Sequence, residues 1–192
     1  MQLFRVFDWD GTSLGRAPGG PLFVARTGQG SGRHDAPARY GAWYCSRTAV
    51  SAVAECLQYL RGHAVTDADF RRAGGVAKAI VGLRFEAGRK IVDLDDPSQL
   101  VTRRIRPSHV ATMRRPVTQK IATSLFDEGA IGFEWWSTLE AEWANVTLFY
   151  ERALPFVSVL APPQRLSLKL PDVQAAVRHL GALNNRRERR DR

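Results

Sequence analysis

Strand-like and helix-like segments follow one another along this chain without a regular βαβ rhythm and without an internal repeat. That order disfavours a doubly wound parallel sheet and points to an α+β domain of compact mixed sheets with flanking helices. Strand composition or period-two alternation marks residues 3–7, 40–46, 79–85, 90–94, 130–136, 145–152 and 165–170. A helix is predicted over 48–61, with Thr48 as its cap and Val50, Val53, Leu57 and Leu60 as its apolar stripe. Another follows the Asp95-Asp96-Pro97 start signal over 99–105, a third has Pro116 in its first turn and runs to Glu128, ended by Gly129, and a last one covers 172–183, with a helical turn near 67–72. Residues 11–39 are rich in Gly, Pro and Arg and read as one long loop. Loops of that length in a compact domain are usually functional or disordered.

With 192 residues, 44% of them hydrophobic and 24% charged, the chain suits one core-forming domain over 1–185 followed by an Arg-rich tail over 186–192. The formal charge is +9, of which the tail's five arginines and two acids contribute +3. A basic protein suggests nucleic acid, yet no recognition helix, zinc spacing or aromatic RNA-binding signature is present, and the other arginines are scattered. No apolar stretch reaches the roughly 20 residues of a bilayer span and the start of the chain lacks a signal-peptide pattern, so a soluble, cytoplasmic protein is expected. Cys45 and Cys56 are too few for a disulfide framework and read as small core residues. His34, His63, His109 and His179 have no ligand spacing, and no metal is expected. The Gly28-Gln29-Gly30-Ser31-Gly32 run superficially follows a dinucleotide fingerprint, but it leads into Arg33-His34-Asp35-Ala36-Pro37, which cannot open a regular helix.

An ordered set of short pieces is more informative than any local motif. Leu3-Phe4-Arg5 is followed by Gly32-Arg33, Trp43-Tyr44-Cys45-Ser46, Ala52-Val53-Ala54-Glu55 and, much later, Gly132-Phe133-Glu134-Trp135-Trp136-Ser137. This set, with the helix over 118–129 and the aromatic strand Asn145-Val146-Thr147-Leu148-Phe149, resembles the RES-domain family. The resemblance implies a fold related to ADP-ribosyltransferases and diphtheria-type toxins, with NAD as substrate in a cleft between sheets. It implies a glycohydrolase or phosphorylase acting as a toxin, held in check by a helix-turn-helix antitoxin of the Xre type, with nucleic acid reached only through that antitoxin. A homo-oligomer is compatible with it. Carried over by motif position, Arg5, Glu55 and Ser137 are the implied catalytic set, and Arg5, Arg33, Tyr44 and Ser137 the implied NAD-binding set. The family commonly has an aromatic residue and Asn after the second arginine, where this chain has His34-Asp35.

These residue types suit the chemistry. A pyrophosphate calls for the forked donors of arginine. A carboxylate such as Glu55 suits the oxocarbenium character that develops when nicotinamide leaves ribose. An aromatic face such as Tyr44 can stack on the nicotinamide, and the Ser137 hydroxyl can position ribose or the carboxamide. From the residues alone, plainer alternatives stay open. Glu55 lies opposite the apolar stripe of its helix, beside Ser51 and Tyr59, which describes a solvated face as well as a cleft wall. Arg5 shares its strand face with Leu3 and Phe7, so as a partly buried arginine it needs an anionic partner, which Glu134 or a phosphate could supply. Tyr44 can be a core aromatic, Ser137 a cap, and Arg33 a solvated loop charge. ADP-ribosyl transfer to a macromolecule and a non-enzymatic nucleic-acid module led by the tail are the rival functions.

Overall fold

In the computed structural model, which describes residues 1–72, 75–86 and 91–181, eight strands join one mixed sheet flanked by helices. In chain order the elements are β1 (Gln2–Trp9), β2 (Ala42–Ser46), α1 (Ala49–Leu57), β3 (Ala77–Phe85), β4 (Ile91–Asp93), α2 (Pro97–Arg103), α3 (Pro107–Val110), α4 (Arg115–Asp127), β5 (Gly132–Trp136), β6 (Ala144–Phe149), α5 (Tyr150–Ala153), β7 (Val157–Val159), β8 (Gln164–Arg165) and α6 (Pro171–His179). The sheet order is β4-β5-β6-β2-β1-β3-β7, with β8 also on β3, and only β4 and β5 run parallel.

One seam in this sheet decides where a site can form. β1 pairs with β3 along its whole length, from Gln2↔Arg84 to Trp9↔Ala77, and β2 pairs with β6 from Ala42↔Phe149 to Ser46↔Asn145. Between β1 and β2, however, Phe4↔Ser46 is the single paired position. The sheet is therefore two well-bonded halves hinged at one point and splayed beyond it. One face of both halves shares a core of Leu3, Phe7, Trp43, Cys45, Val81, Leu83, Val146 and Leu148, covered by Val24 of the long loop and Ala153 of α5. On the opposite face the halves are covered separately. Leu125 and Ala122 of α4 pack on Phe133, Trp135 and Phe149, while Val53 and Leu57 of α1 pack with Val173 and Val177 of α6 beside Val6 and Ile80. A gap over the seam is left between the two helical layers.

The helix signals act locally as their chemistry dictates. Thr48 caps α1 by accepting from the Ser51 amide at 3.1 Å, Asp96 caps α2 by accepting from Ser98, and Pro116 lies in the first turn of α4. Gly129, with φ +82°, follows the end of that helix in the left-handed region. α1 stops at Leu57, and residues 58–60 tighten into a 3-10 turn. The strand expected over 145–152 ends at Phe149. Residues 150–153 turn helically instead, which brings Arg152 back to donate to the carbonyls of Phe126 and Ala130, around the C-terminal end of α4. Of the strand expected over 165–170, only Arg165 pairs with β3. Leu166, Leu168 and Leu170 all pack into the α1–α6 core, so their period-two spacing marks a turn whose apolar side chains converge rather than a strand. α3 and β7 were not expected. Lys90, residues 182–183 of the expected last helix and the 186–192 tail lie outside the described residues. Among the described residues no helix is long and apolar enough to cross a membrane.

Candidate functional site

The gap over the seam is a cleft of about 680 Å³. Phe4 and Val6 of β1 form an apolar wall, Tyr44 and Ser46 of β2 face it, Glu55 of α1 closes one end, and Arg33 is delivered from the long loop. Four of the five expected site residues are thus gathered: Arg33, Tyr44 and Glu55 line the cleft, and Ser137 is bonded to Glu55.

Glu55 owes its place to the α1 stripe. With Val53, Ala54 and Leu57 packed inward, the side opposite is turned to the cleft: Ser51 there is fully buried and Glu55 half-buried, while Tyr59 at its rim is exposed. Glu55 Oε1 accepts from Ser137 Oγ at 2.6 Å and from Asn145 Nδ2 at 2.8 Å. Oε2 has only Gln58 Nε2, at 3.4 Å. Ser137, just past β5, is buried, and its Oγ also accepts from the Leu139 amide at 3.0 Å.

The glycine loop is tied down rather than flexible. Asp35 Oδ2 accepts from the amides of Gly30 and Gly32 at 2.8 and 2.7 Å, and Gln119 donates to the carbonyls of both glycines. Gly32 is required by space, since a Cβ there would lie 2.6 Å from both Tyr44 Oη and Asp35 Oδ1. Thr118 holds the loop from α4 by donating to the Arg33 carbonyl. Tyr44 Oη donates to Asp35 Oδ1 at 2.7 Å and accepts from the His34 amide at 2.9 Å. Burial, with Asp35 beside it, pushes the phenol well above its ordinary value, so Tyr44 stays protonated and presents its ring. The turn in which the sequence departs from the resemblance therefore has a physical role. Buried His34 packs edge-on against Phe133 and Trp135 as an aromatic ring would, with Nδ1 2.9 Å from Thr147 Oγ1. Asp35 serves as the loop's acceptor. Burial and the nearby Arg33 charge hold His34 well below its ordinary value, so it is neutral.

Arg33 lies over the Trp135 ring at 4.9 Å and donates through Nη2 to the Val110 carbonyl at 2.7 Å and through Nη1 to Met113 Sδ at 3.3 Å. Its Nε is buried without a protein partner. Burial draws its basicity down and the Glu55 charge supports it, so cation and carboxylate share one electrostatic environment.

Arg5 is not brought to the cleft. It shares the sheet face of Leu3 and Phe7, as its register suggests, and that is the core face. Its partners are neither Glu134 nor a cleft ligand but the carbonyls of Pro21 and Phe23, at 2.6 and 2.7 Å, with the rings of Phe7 and Trp43 alongside. Burial lowers its pKa to about 10, which leaves it cationic at neutral pH. Cys45 is buried in the core, as expected, whereas Cys56 is half-buried; both border the cleft. Sequence reasoning missed Asn145, Ser46 and Ser51, which lock Glu55 in place. The available signal was Asn145 and Thr147 alternating with apolar residues in a strand that is buried on both faces. Among the described residues no group of three or more His, Cys, Asp or Glu is placed to hold a metal.

The RES domain family model matches residues 4–171. No curated protein matches the chain. Among solved structures the fold is similar to that of a chain in the M. tuberculosis MbcT–MbcA toxin–antitoxin complex, with a TM-score of 0.58 and 13% identity over 86% of this chain and 84% of that one. At that identity the likeness is one of fold.

Proposed function

This chain belongs to the RES-domain family, and from that premise we propose that it is the toxin of a toxin–antitoxin pair and cleaves the bond between nicotinamide and ribose in NAD. The observation that carries the reading is the state of Glu55: one carboxylate oxygen is committed to Ser137 and Asn145, and the other, with only a long contact from Gln58, lies at a cleft that also holds Arg33. In the reaction the C1′–N bond breaks and its electron pair leaves with the nicotinamide nitrogen, cancelling the pyridinium charge. Positive charge then develops on the ribose, where the open oxygen of Glu55 stabilises it. An oxygen of water or inorganic phosphate bonds to C1′ and its proton is released to solvent, giving ADP-ribose or its 1-phosphate.

The other residues suit the remaining parts of the ligand. Arg33, with its spare donors, takes the pyrophosphate. The Tyr44 ring makes a wall for nicotinamide. Ser137 is buried behind the cleft and spends its proton on Glu55 and one lone pair on Leu139, so its part is to hold the carboxylate that faces the ligand. Arg5 acts at a distance, by tethering residues 21–23 of the loop that carries Arg33. An NAD-destroying enzyme needs restraint, and the toxin–antitoxin complex in which the similar fold occurs supports an antitoxin as the partner; covering the cleft would provide that restraint. A helix-turn-helix antitoxin would also supply the link to DNA.

The test is incubation of the purified protein with NAD labelled in its adenine, in phosphate-free and in phosphate buffer, with products resolved by chromatography. Nicotinamide should accumulate, and the labelled product identifies the acceptor. Glu55→Gln should slow release by at least about 100-fold, a loss near 3 kcal/mol of transition-state stabilisation. No release in either buffer overturns the reading, and label retained on protein or nucleic acid replaces it with transfer.

A further inference from the structure

Behind Glu55 lies a polar cluster that the proposed reaction does not by itself explain. Asn145 is 1% exposed in the interior of the sheet, where its register partners are Ser46 of β2 and Trp135 of β5. Its Oδ1 lies 2.6 Å from Ser46 Oγ and 3.0 Å from Ser51 Oγ, and its Nδ2 lies 2.8 Å from Glu55 Oε1. These contacts determine the orientation of the amide. Turned the other way, its carbonyl oxygen would meet the carboxylate oxygen at the same short distance, acceptor against acceptor, in a buried site where that repulsion is strong. Both serine hydroxyls therefore donate to Oδ1, and the amide is obliged to donate to Glu55. Ser46 is in β2, Ser51 and Glu55 are in α1, and Asn145 is in β6, so the cluster ties both sides of the seam to one carboxylate oxygen.

The donors on that oxygen are a hydroxyl and an amide, both neutral. They hold the carboxylate plane without cancelling its charge, as a guanidinium would, and the charge remains available at Oε2. We propose that Asn145 is a positioning residue for the reaction at this site: backed by Ser46 and Ser51, it locks Glu55 Oε1 and thereby presents Oε2 to the ribose. This rests on the reading of Glu55 as the carboxylate that meets the ribose.

The test compares Asn145→Ala and Asn145→Asp by nicotinamide release across pH 5–9, with thermal melting as the check on folding. Asn145→Ala should lose between about 10- and 100-fold in kcat with KM changed less than about threefold, since the ligand is not touched. Asn145→Asp carries the sharper expectation. Its carboxyl can replace the amide donor only while protonated, and two carboxyls meeting at this point share one proton at low pH. The variant should turn over near the wild-type rate at the acid end and decline as pH rises, a falling limb that the wild type lacks. A folded Asn145→Ala variant with wild-type kcat, or an Asn145→Asp variant that follows the wild-type pH profile, overturns the proposal.

A measurement on the unsubstituted site covers failed folding and absent turnover. The Asn145 side-chain NH₂ resonances should lie downfield and exchange slowly, and Glu55→Ala should move them and speed their exchange. Resonances indifferent to Glu55→Ala refute the positioning contact. If they respond while the wild type releases no nicotinamide, the contact stands and the proposed reaction falls.

Discussion

Arg5 and Arg33 each set a guanidinium against a tryptophan, 5.5 Å from Trp43 and 4.9 Å from Trp135, on opposite faces of the same split sheet. On the core face Arg5 is half-buried, and two backbone carbonyls of the long loop take its donors at short distance. On the cleft face Arg33 spends one strong hydrogen bond on Val110 and a weak one on a thioether, and its Nε has no partner in the protein. The same residue type, stacked in the same way, is a fastener in one place and a spare cation in the other. The hydrogens left over make the difference, because each Nη of Arg33 keeps an N–H that an incoming anion can accept as a charge-assisted bond.

That contrast can be broken most directly at Arg5. Arg5→Met leaves the part-buried Pro21 and Phe23 carbonyls unpaired, which should cost about 3–5 kcal/mol and lower the melting midpoint by roughly 6–20 °C for a chain of this size. KM for NAD in the protein that remains folded should change less than about threefold. An unchanged midpoint with a large rise in KM would reverse the roles of the two arginines. At Arg33 the expectations are exchanged. Arg33→Lys keeps the charge but loses the fork and the planar stack, so KM should rise about 10-fold while the midpoint moves by less than about 3 °C. Equal KM values would remove Arg33 from the ligand.

The smallest effect separates the faces by pH. On the core face, burial pushes the Cys45 thiol up to about 12 and Arg5 titrates near 10, so neither changes charge between pH 5 and 8. On the cleft face, His34 is held well below its ordinary value by burial, aided by Arg33. Once pH falls below about 6.5 the unfolded chain takes a proton at His34 that the folded chain refuses. Stability should then drop by up to about 1.4 kcal/mol for each further pH unit until the folded His34 itself titrates. Denaturant melts of the wild type and of His34→Phe over pH 5–7.5 check this, since the variant should lose that part of the slope. An undiminished slope would place the linkage elsewhere.

Much of the scaffold was legible in the residues, because its signals are local. Thr48, Asp96, Pro116 and Gly129 set helix ends through atoms a few positions away, and those ends stand where the chemistry puts them. Arg5 was legible as a buried arginine from its shared face with Leu3 and Phe7. Its partners were not, since they are carbonyls 16 and 18 residues onward in a loop without periodicity. Glu55 was legible as the residue opposite the apolar stripe. Whether that side met water or a cleft depended on β5, β6 and the glycine loop, whose residues lie far from it in sequence. The strand expected past Phe149 failed for a similar reason: Tyr150-Glu151-Arg152 has strand-compatible composition, but the carbonyls around the end of α4 draw Arg152 back into a turn.

The sequence by itself determined the mixed strand–helix order, most helix ends, the two-faced character of β1 and the ordered set of residues that places the chain in its family. Those follow from periodicity, capping and side-chain type, which act over a few residues. Only the tertiary structure decided which face of β1 became core and which became cleft. That outcome rests on the single Phe4↔Ser46 pairing at the seam, where two sheet halves assembled from distant segments part and leave Arg5 bonded to the loop carbonyls, Arg33 at the cleft and Glu55 locked by Asn145.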